Sequence, residues 1–291
     1  MHSEDLATRC VSWFTVCIVL SLYISGNLAY HWLLKPSISW ALLFNLTWLL
    51  ALWSYLQTSL TDPGTPHSAE WRDWAKVRRG GRSVEQWQKE AEEAQEGQPD
   101  TRRTWSPGKP SWCRSCRTER PERAHHCTAC GCCVLRMDHH CPWIGSCVGW
   151  RNHKYFLLLN WWSFCSCLCF LLGMTQKGIL DVMSTPDIST SSILLMVATI
   201  SIVIFFLLTG CLFAMSLYSA MRNVTTIEDF FSGENPYMLQ SSLENLTQLL
   251  GAPGLRWLLP VPCTCRPCDG TSFPLAEHLL CQVDVRSYGS V

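Results

Sequence analysis

The chain has 291 residues, 48% of them hydrophobic and only 16% charged, below the roughly one quarter usual in a soluble domain, which argues against a single water-soluble globule. Its 23 basic and 23 acidic residues cancel, so bulk charge offers no argument for nucleic acid. Of its 18 cysteines, eight crowd into residues 113–147 at C-x2-C spacings and five more (Cys17, Cys165, Cys167, Cys169 and Cys211) sit in apolar runs, a distribution of metal ligands in a reducing compartment rather than of a secreted disulfide framework.

Four segments, 11–34, 38–60, 155–175 and 192–219, meet the length of about 20 apolar residues that a helix needs to cross a bilayer. The first carries Asn27 and His31 in its second half. Its length and its acidic lead-in (Glu4, Asp5) argue for a span over a signal peptide. Fifteen tryptophans suit interfacial anchoring. Sixteen of the 23 basic residues lie within 61–154 and four follow residue 219, while only Lys35 and Lys177 fall in the two other loops. The positive-inside rule then puts both termini and the central segment in the cytosol.

In segment 61–112 the run 83–96, with Glu85, Lys89, Glu90, Glu92 and Glu93, reads as a charged helix capped by Ser83. Trp71, Trp74 and Trp87 offer apolar contacts, and 99–110 is a linker rich in proline and charge. The whole segment is expected to be a solvated connector. Beyond the fourth apolar run, the tail ends in Cys263, Cys265, Cys268 and Cys281. Only Cys281 or His278 offers a fourth ligand there, so a reactive or lipidated tail is expected rather than a third zinc site.

Between the second and third apolar runs, ten ligand-type residues are spaced C-x2-C-x9-H-C-x2-C-x2-C-x4-D-H-H-C-x5-C, namely Cys113, Cys116, His126, Cys127, Cys130, Cys133, His139, His140, Cys141 and Cys147. A structural zinc takes four ligands, so two closed sites consume eight and leave Cys141 beside His139. Pairing in sequence order would direct the neighbours His126 and Cys127 at one ion, although adjacent side chains on an extended strand diverge; interleaved sites relieve this. His125 competes with His126 as ligand, and Cys132 reads as a free thiol. Few large apolar residues lie in this stretch, so metal is expected to supply most of its folding energy. A nucleic-acid module would need a helix with a basic face, and the basic residues here are dispersed.

The run Asp138-His139-His140-Cys141-Pro142-Trp143 resembles the signature of the DHHC protein S-acyltransferases, integral membrane enzymes that palmitoylate proteins. Asp62-Pro63-Gly64 is similar to that family's DPG motif. Cys147, Asn152 and Phe156 match its C-x4-N-x3-F continuation, and Thr225-Thr226-Ile227-Glu228 its TTxE motif. Asn235-Pro236-Tyr237 with Asn245 resembles its C-terminal aromatic segment. The resemblance implies an α-helical polytopic membrane protein of four transmembrane helices, with a cytosolic two-zinc cysteine-rich domain between spans two and three. It implies one zinc site of Cys113, Cys116, His126 and Cys133, and another of Cys127, Cys130, His140 and Cys147. It further implies that Trp143 contacts the acyl group and that Thr225, Thr226 and Glu228 pack on the zinc domain, one threonine hydroxyl bonding Asp138. Asn235, Tyr237 and Asn245 would secure the tail against the spans.

The chemistry follows from residue types. An ordinary thiol has a pKa near 8.5 and needs a base or a positive neighbour. On an extended strand His139 shares a face with Cys141, and Asp138 can fix the imidazole tautomer. The expected reaction moves a long-chain acyl group, palmitoyl by resemblance, from acyl-coenzyme A through a Cys141 thioester to juxtamembrane cysteines of membrane-associated substrate proteins. Arg136, Arg151, Lys154 and Arg222 are candidate contacts for the coenzyme A phosphates. The expected units are 1–60, 61–112, 113–154, 155–219 and 220–291, and the expected location is the Golgi or endoplasmic reticulum membrane, with the plasma membrane as alternative. A zinc module that only binds partners, and a zinc-regulated transporter, are the competing readings. The second lacks charged residues in the middle of its spans.

Overall fold

Apolar runs free of internal proline fold as the long helices α1 (Ser3–Ala29) and α2 (Ile38–Leu60) in the computed structural model, which describes residues 3–93, 104–177 and 190–276. The chain continues with α3 (Ala69–Arg79), α4 (Val84–Glu93), six short strands, α5 (His153–Lys177), α6 (Thr190–Met221) and α7 (Ser242–Leu250). His278, Cys281 and residues 94–103 of the connector and linker lie outside the described residues. Four stretches are long and apolar enough to cross a membrane: Phe14–Trp32, Ile38–Leu60, His153–Met174 and Met196–Met221. The first span ends differently from a plain helix, passing through a π-turn at Tyr30–Leu34 before Lys35 takes a left-handed φ of 44° and Pro36 follows.

The third span is central and the most buried of the four, and the first and fourth are the least buried. It packs between α2 and α6. Ser166 on α5 bonds Thr47 on α2 at 3.2 Å, and Tyr30 stacks on Phe44 at 3.8 Å beside Phe170. Exposed leucines and isoleucines such as Leu46, Ile204 and Leu207 cover the outer faces, as hydrocarbon solvent requires.

The cysteine-rich stretch forms three antiparallel hairpins of three-residue strands: β1 (Ser111–Cys113) with β2 (Thr118–Arg120), β3 (His125–Cys127) with β4 (Cys132–Val134), and β5 (His139–Cys141) with β6 (Ser146–Val148). Its large apolar neighbours come mostly from elsewhere. Trp71 of α3, Trp150, and Tyr237 and Phe273 of the tail gather around Cys113, Cys133 and Leu135.

Segment 61–112 differs from the solvated connector expected. Ser68 caps α3 by accepting from the Trp71 amide, and Ser83 caps α4 reciprocally with Gln86. Both helices dock on β2, where Glu119 accepts from Arg78 at 3.2 Å and from Trp87 Nε1 at 3.1 Å, with Trp71 and Trp87 buried. Asp62 accepts from the amides of Gly64 and Thr65 at 2.9 Å, closing a turn in which Gly64 has a φ of 109°. That turn accepts from the Leu135 amide at 2.8 Å, which ties the end of α2 to the hairpins.

The tail likewise has more structure than its weak periodicity promised. α7 starts in a capping box of Ser241 and Glu244. Residues 251–276 then fold back along the third span and the hairpins. Phe273 donates its amide to Glu122 at 2.7 Å, and the Arg266 guanidinium lies 4.4 Å over the Trp150 ring. Tyr237 departs from its expected role against the spans, since its hydroxyl donates to Glu122 of the cysteine-rich stretch at 2.8 Å.

Candidate active site and metal centres

Two clusters bring four ligand atoms each within 4.8 Å of one another: Cys113, Cys116, His126 and Cys133, and Cys127, Cys130, His140 and Cys147. The strand register explains the interleaving. His126 lies directly opposite Cys133, and His140 directly opposite Cys147. Each such pair meets the C-x2-C turn of the preceding hairpin, where the amide of Cys116 or Cys130 donates to the sulfur three residues earlier at 3.4 Å. His126 and Cys127 are strand neighbours and point to opposite faces, hence to different clusters. His125 and Cys132 belong to neither. The His125 ring packs on Phe231, and burial pushes its pKa down to about 4. Three thiols and one imidazole with no open position form the donor set of a closed structural zinc site, and both clusters fit it. Among the described residues, the tail cysteines Cys263, Cys265 and Cys268 join no such cluster.

β5 carries the remaining pair. His140 faces its cluster, while His139 Nδ1 lies 2.6 Å from Asp138 Oδ2 and His139 shares its face of β5 with Cys141. Burial disfavours the imidazolium, but the hydrogen bond to Asp138 and the neighbouring Cys141 outweigh it and push the His139 pKa up to about 9. Burial acts against the Asp138 carboxylate too, yet the hydrogen bond from His139, the nearby His153 and the Thr226 amide hold it well below the usual carboxylate range. Thr226 donates its amide to Asp138 Oδ1 at 2.9 Å and its hydroxyl to Oδ2 at 3.0 Å. Cys141 is 7% exposed and packs with Val16, Tyr55, Ile144, Val148 and Phe156. The strand's exit is stitched to the first two spans, with Thr15 donating to the Pro142 carbonyl at 2.7 Å and Tyr55 to that of Trp143 at 3.0 Å. The Trp143 side chain is 63% exposed.

A buried polar hub supports this row. Glu228 accepts two bonds from Arg123 at 2.7 Å, with both side chains almost inaccessible. Asn223 accepts from Arg123 and Arg136, and donates to the Tyr237 carbonyl and Gln248. Sequence reasoning missed Asn223, Arg123 and Glu122. For Asn223 a signal existed: asparagine two residues past an apolar helix is a preferred left-handed cap, and its φ is 48°. Asn152 bonds the carbonyls of Thr58 and Cys147 and accepts from the Gly149 amide, and Asn245 donates to the Met221 carbonyl.

The four basic candidates separate. Arg136 is buried against His153 and Asn223, and Lys154 is buried with its ammonium on the Arg256 and Val261 carbonyls at 2.7 and 2.9 Å. Neither has the access that phosphate contact requires, which corrects the expectation for both. Arg151 and Arg222 are partly exposed, near Asp62 and Glu70 and near Asp229 respectively.

Residues 106–232 match the family model of the DHHC palmitoyltransferases. Palmitoyltransferase ZDHHC15 of Xenopus laevis is 30% identical over 92% of this chain and 83% of its own length. Palmitoyltransferase ZDHHC20-B of Danio rerio is 29% identical over 94% of this chain and 86% of its own. Probable protein S-acyltransferase 13 of Arabidopsis thaliana is 30% identical over 75% and 70%. Four membrane-length helices joined to a cysteine-rich domain with two four-ligand clusters define a class of multi-pass membrane protein with a metal-binding module. The chain belongs to the DHHC palmitoyltransferase family and is a protein S-acyltransferase.

Proposed function

We propose that Cys141 carries the acyl group, that His139 moves the proton and that Asp138 orients His139. The Cys141 thiol gives its proton to His139 and attacks the thioester carbon of a long-chain acyl-coenzyme A, palmitoyl-coenzyme A above all. Coenzyme A leaves as its thiol, taking the proton back from His139. A substrate-protein thiol then gives its proton to the same imidazole and attacks the acyl-enzyme, and Cys141 departs protonated. Both steps exchange one thioester for another, so proximity, thiolate and a dry acyl environment supply the rate. The observation that carries this reading is the 2.6 Å Asp138–His139 contact beside a Cys141 set among apolar side chains of the first three spans and the end of β6.

Two zinc ions held by the two clusters would act structurally, the second fixing β5 and β6 through His140 and Cys147 from outside the reaction. Trp143, exposed next to Cys141, would meet the acyl group near its carbonyl, and Arg151 and Arg222 would meet the coenzyme A phosphates. Each buried methylene contributes about 0.8 kcal/mol, so a chain of about 16 carbons binds without polar contacts. The basic residues of 61–154 support an orientation with both termini and the zinc domain cytosolic, in a Golgi or endoplasmic reticulum membrane, acting on membrane-associated proteins with cytosolic juxtamembrane cysteines. The units proposed remain 1–60, 61–112, 113–154, 155–219 and 220–291. Incubating purified protein with labelled acyl-coenzyme A tests the reading. Label on Cys141, released by hydroxylamine and lost in Cys141→Ser at unchanged zinc content, is expected; label retained in Cys141→Ser refutes it.

A further inference from the structure

Among the described cysteines of the hairpins, Cys132 alone joins neither metal cluster and is not the proposed acyl carrier. The three hairpins are built alike, each with a cysteine ending its first strand. Cys113 stands opposite Thr118, Cys127 opposite Cys132, and Cys141 opposite Ser146. Only in the middle hairpin is the opposed side chain a thiol. Directly opposed residues of an antiparallel pair share a face, and successive residues alternate. His126 and its opposite Cys133 serve the first cluster, so Cys127 and Cys132 both turn towards the second. Cys132 packs against the group of Cys127, Val134, Met137 and Cys147, which includes two ligands of that cluster. Opposed α-carbons lie about 4.5–5.5 Å apart in such a pair, inside the range of about 4.4–6.8 Å that a disulfide spans. Cys127 is buried, but Cys130 of the same cluster is exposed and Cys132 is half-buried, so this edge is open to a small solute.

We propose that Cys132 is a resolving thiol, and that hydrogen peroxide joins it to Cys127 in a disulfide that opens the second metal site. Cys127, a thiolate when it serves as a ligand, attacks the peroxide. Its sulfur takes one oxygen, the O–O bond breaks and hydroxide leaves. The Cys132 sulfur then attacks the sulfenic sulfur of Cys127. The S–O bond breaks, and the Cys132 proton departs with that oxygen as water. Two electrons pass from two sulfurs to one peroxide. With Cys127 consumed, the cluster keeps Cys130, His140 and Cys147, one donor short of a closed site. His140 and Cys147 face each other across β5 and β6, on either side of Cys141 in sequence. The disulfide therefore unpins the strand that carries Cys141 without touching that thiol. The first cluster lacks this route, because Thr118 opposite Cys113 has no sulfur. A thiol reductant breaks the bond, so the change is reversible. The proposal rests on the assignment of the two clusters and is independent of the chemistry of Cys141.

The test treats the zinc-loaded full chain in detergent with hydrogen peroxide. It carries Cys141→Ser, so that this thiol consumes no oxidant. A chromogenic chelator reads released zinc, and differential alkylation with tandem mass spectrometry reads which cysteines are bonded. Release of about one zinc equivalent is expected, since only one closed site loses a ligand. Cys127 and Cys132 should be found joined, with zinc rebinding after reduction. Adding Cys132→Ser should leave both metal sites filled beforehand and slow the release by about ten-fold or more, because a thiol held in place outcompetes thiols in solution. Equal release with and without Cys132 would overturn the proposal. So would a disulfide between Cys127 and Cys130 that leaves Cys132 free, or loss of both zinc equivalents at one rate. A shortfall of zinc in Cys132→Ser before peroxide would place Cys132 in the metal shell and reject it equally. Should that variant not fold, the cysteine mapping in the protein that keeps Cys132 decides by itself.

Discussion

Thr226 holds Asp138 with both its amide and its hydroxyl, at 2.9 and 3.0 Å, across 88 residues of sequence. The carboxylate that meets His139 is thus positioned from beyond the fourth span rather than by its own strand. Thr226→Val keeps the shape and removes the hydroxyl. A hydrogen bond to a charged group contributes about 1.5–3 kcal/mol, so acyl-enzyme formation should slow by about ten-fold or more. Zinc content and span insertion should be unchanged. Rapid-quench labelling with acyl-coenzyme A decides it, and a rate equal to that of the unaltered protein would remove Thr226 from the site.

His139→Ala should keep its zinc and react slowly, because loss of a positioned base costs about 10²–10⁴ in rate. Partial recovery at high pH is expected as hydroxide replaces the base. Loss of zinc in His139→Ala, with His140→Ala harmless, would mean that the two histidines have exchanged roles.

The same imidazole gives stability a pH dependence of definite sign. Its folded pKa is about 9, above the ordinary value of about 6.5 for an unfolded chain. Its stabilisation is therefore fully present below about pH 6.5 and lost as pH rises through about 9. The margin in thermal unfolding between the unaltered protein and His139→Gln, both in detergent, should narrow over that window. A margin that widened with pH would contradict the Asp138–His139 ion pair.

Cys147→Ala and Cys141→Ser should both abolish transfer and yet be distinguishable. Cys147 belongs to the second cluster, so its variant should lose about one zinc equivalent and become protease-sensitive across 113–154, while its spans still insert. Cys141→Ser should bind metal normally. Metal analysis with limited proteolysis separates the two, and full zinc with normal acylation in Cys147→Ala would sink the interleaved assignment.

Arg123 and Glu228 form a buried pair whose guanidinium also lies 4.5 Å over the Tyr237 ring. Removing one partner strands the other charge, so Glu228→Gln or Arg123→Met alone should cost about 3–5 kcal/mol. The double variant should recover part of that loss, because no unpaired charge remains. Detergent unfolding of the four species forms the cycle; strict additivity would show that the pair is not coupled.

Much of this architecture was legible in residue order. The second span was read as 38–60 and is Ile38–Leu60, because apolar length in a bilayer is a local property that neighbours do not alter. The interleaved clusters agree with the divergence of adjacent strand side chains at His126 and Cys127. What escaped was burial of polar residues. Arg136 and Lys154 read as free cations, since nothing local reveals that Asn223 or the Arg256 carbonyl will meet them.

By itself the sequence determined the spans, the ligand types and spacing, and the presence of a surplus thiol beside a surplus imidazole, all of which depend on short-range periodicity and covalent geometry. Tertiary structure alone decided that Thr226 grips Asp138, that Glu119 recruits α3 and α4 into the zinc domain, and that the tail lies along the third span. These contacts join positions that sequence separation does not relate, and they form because buried polar groups must find partners wherever the folded chain brings them.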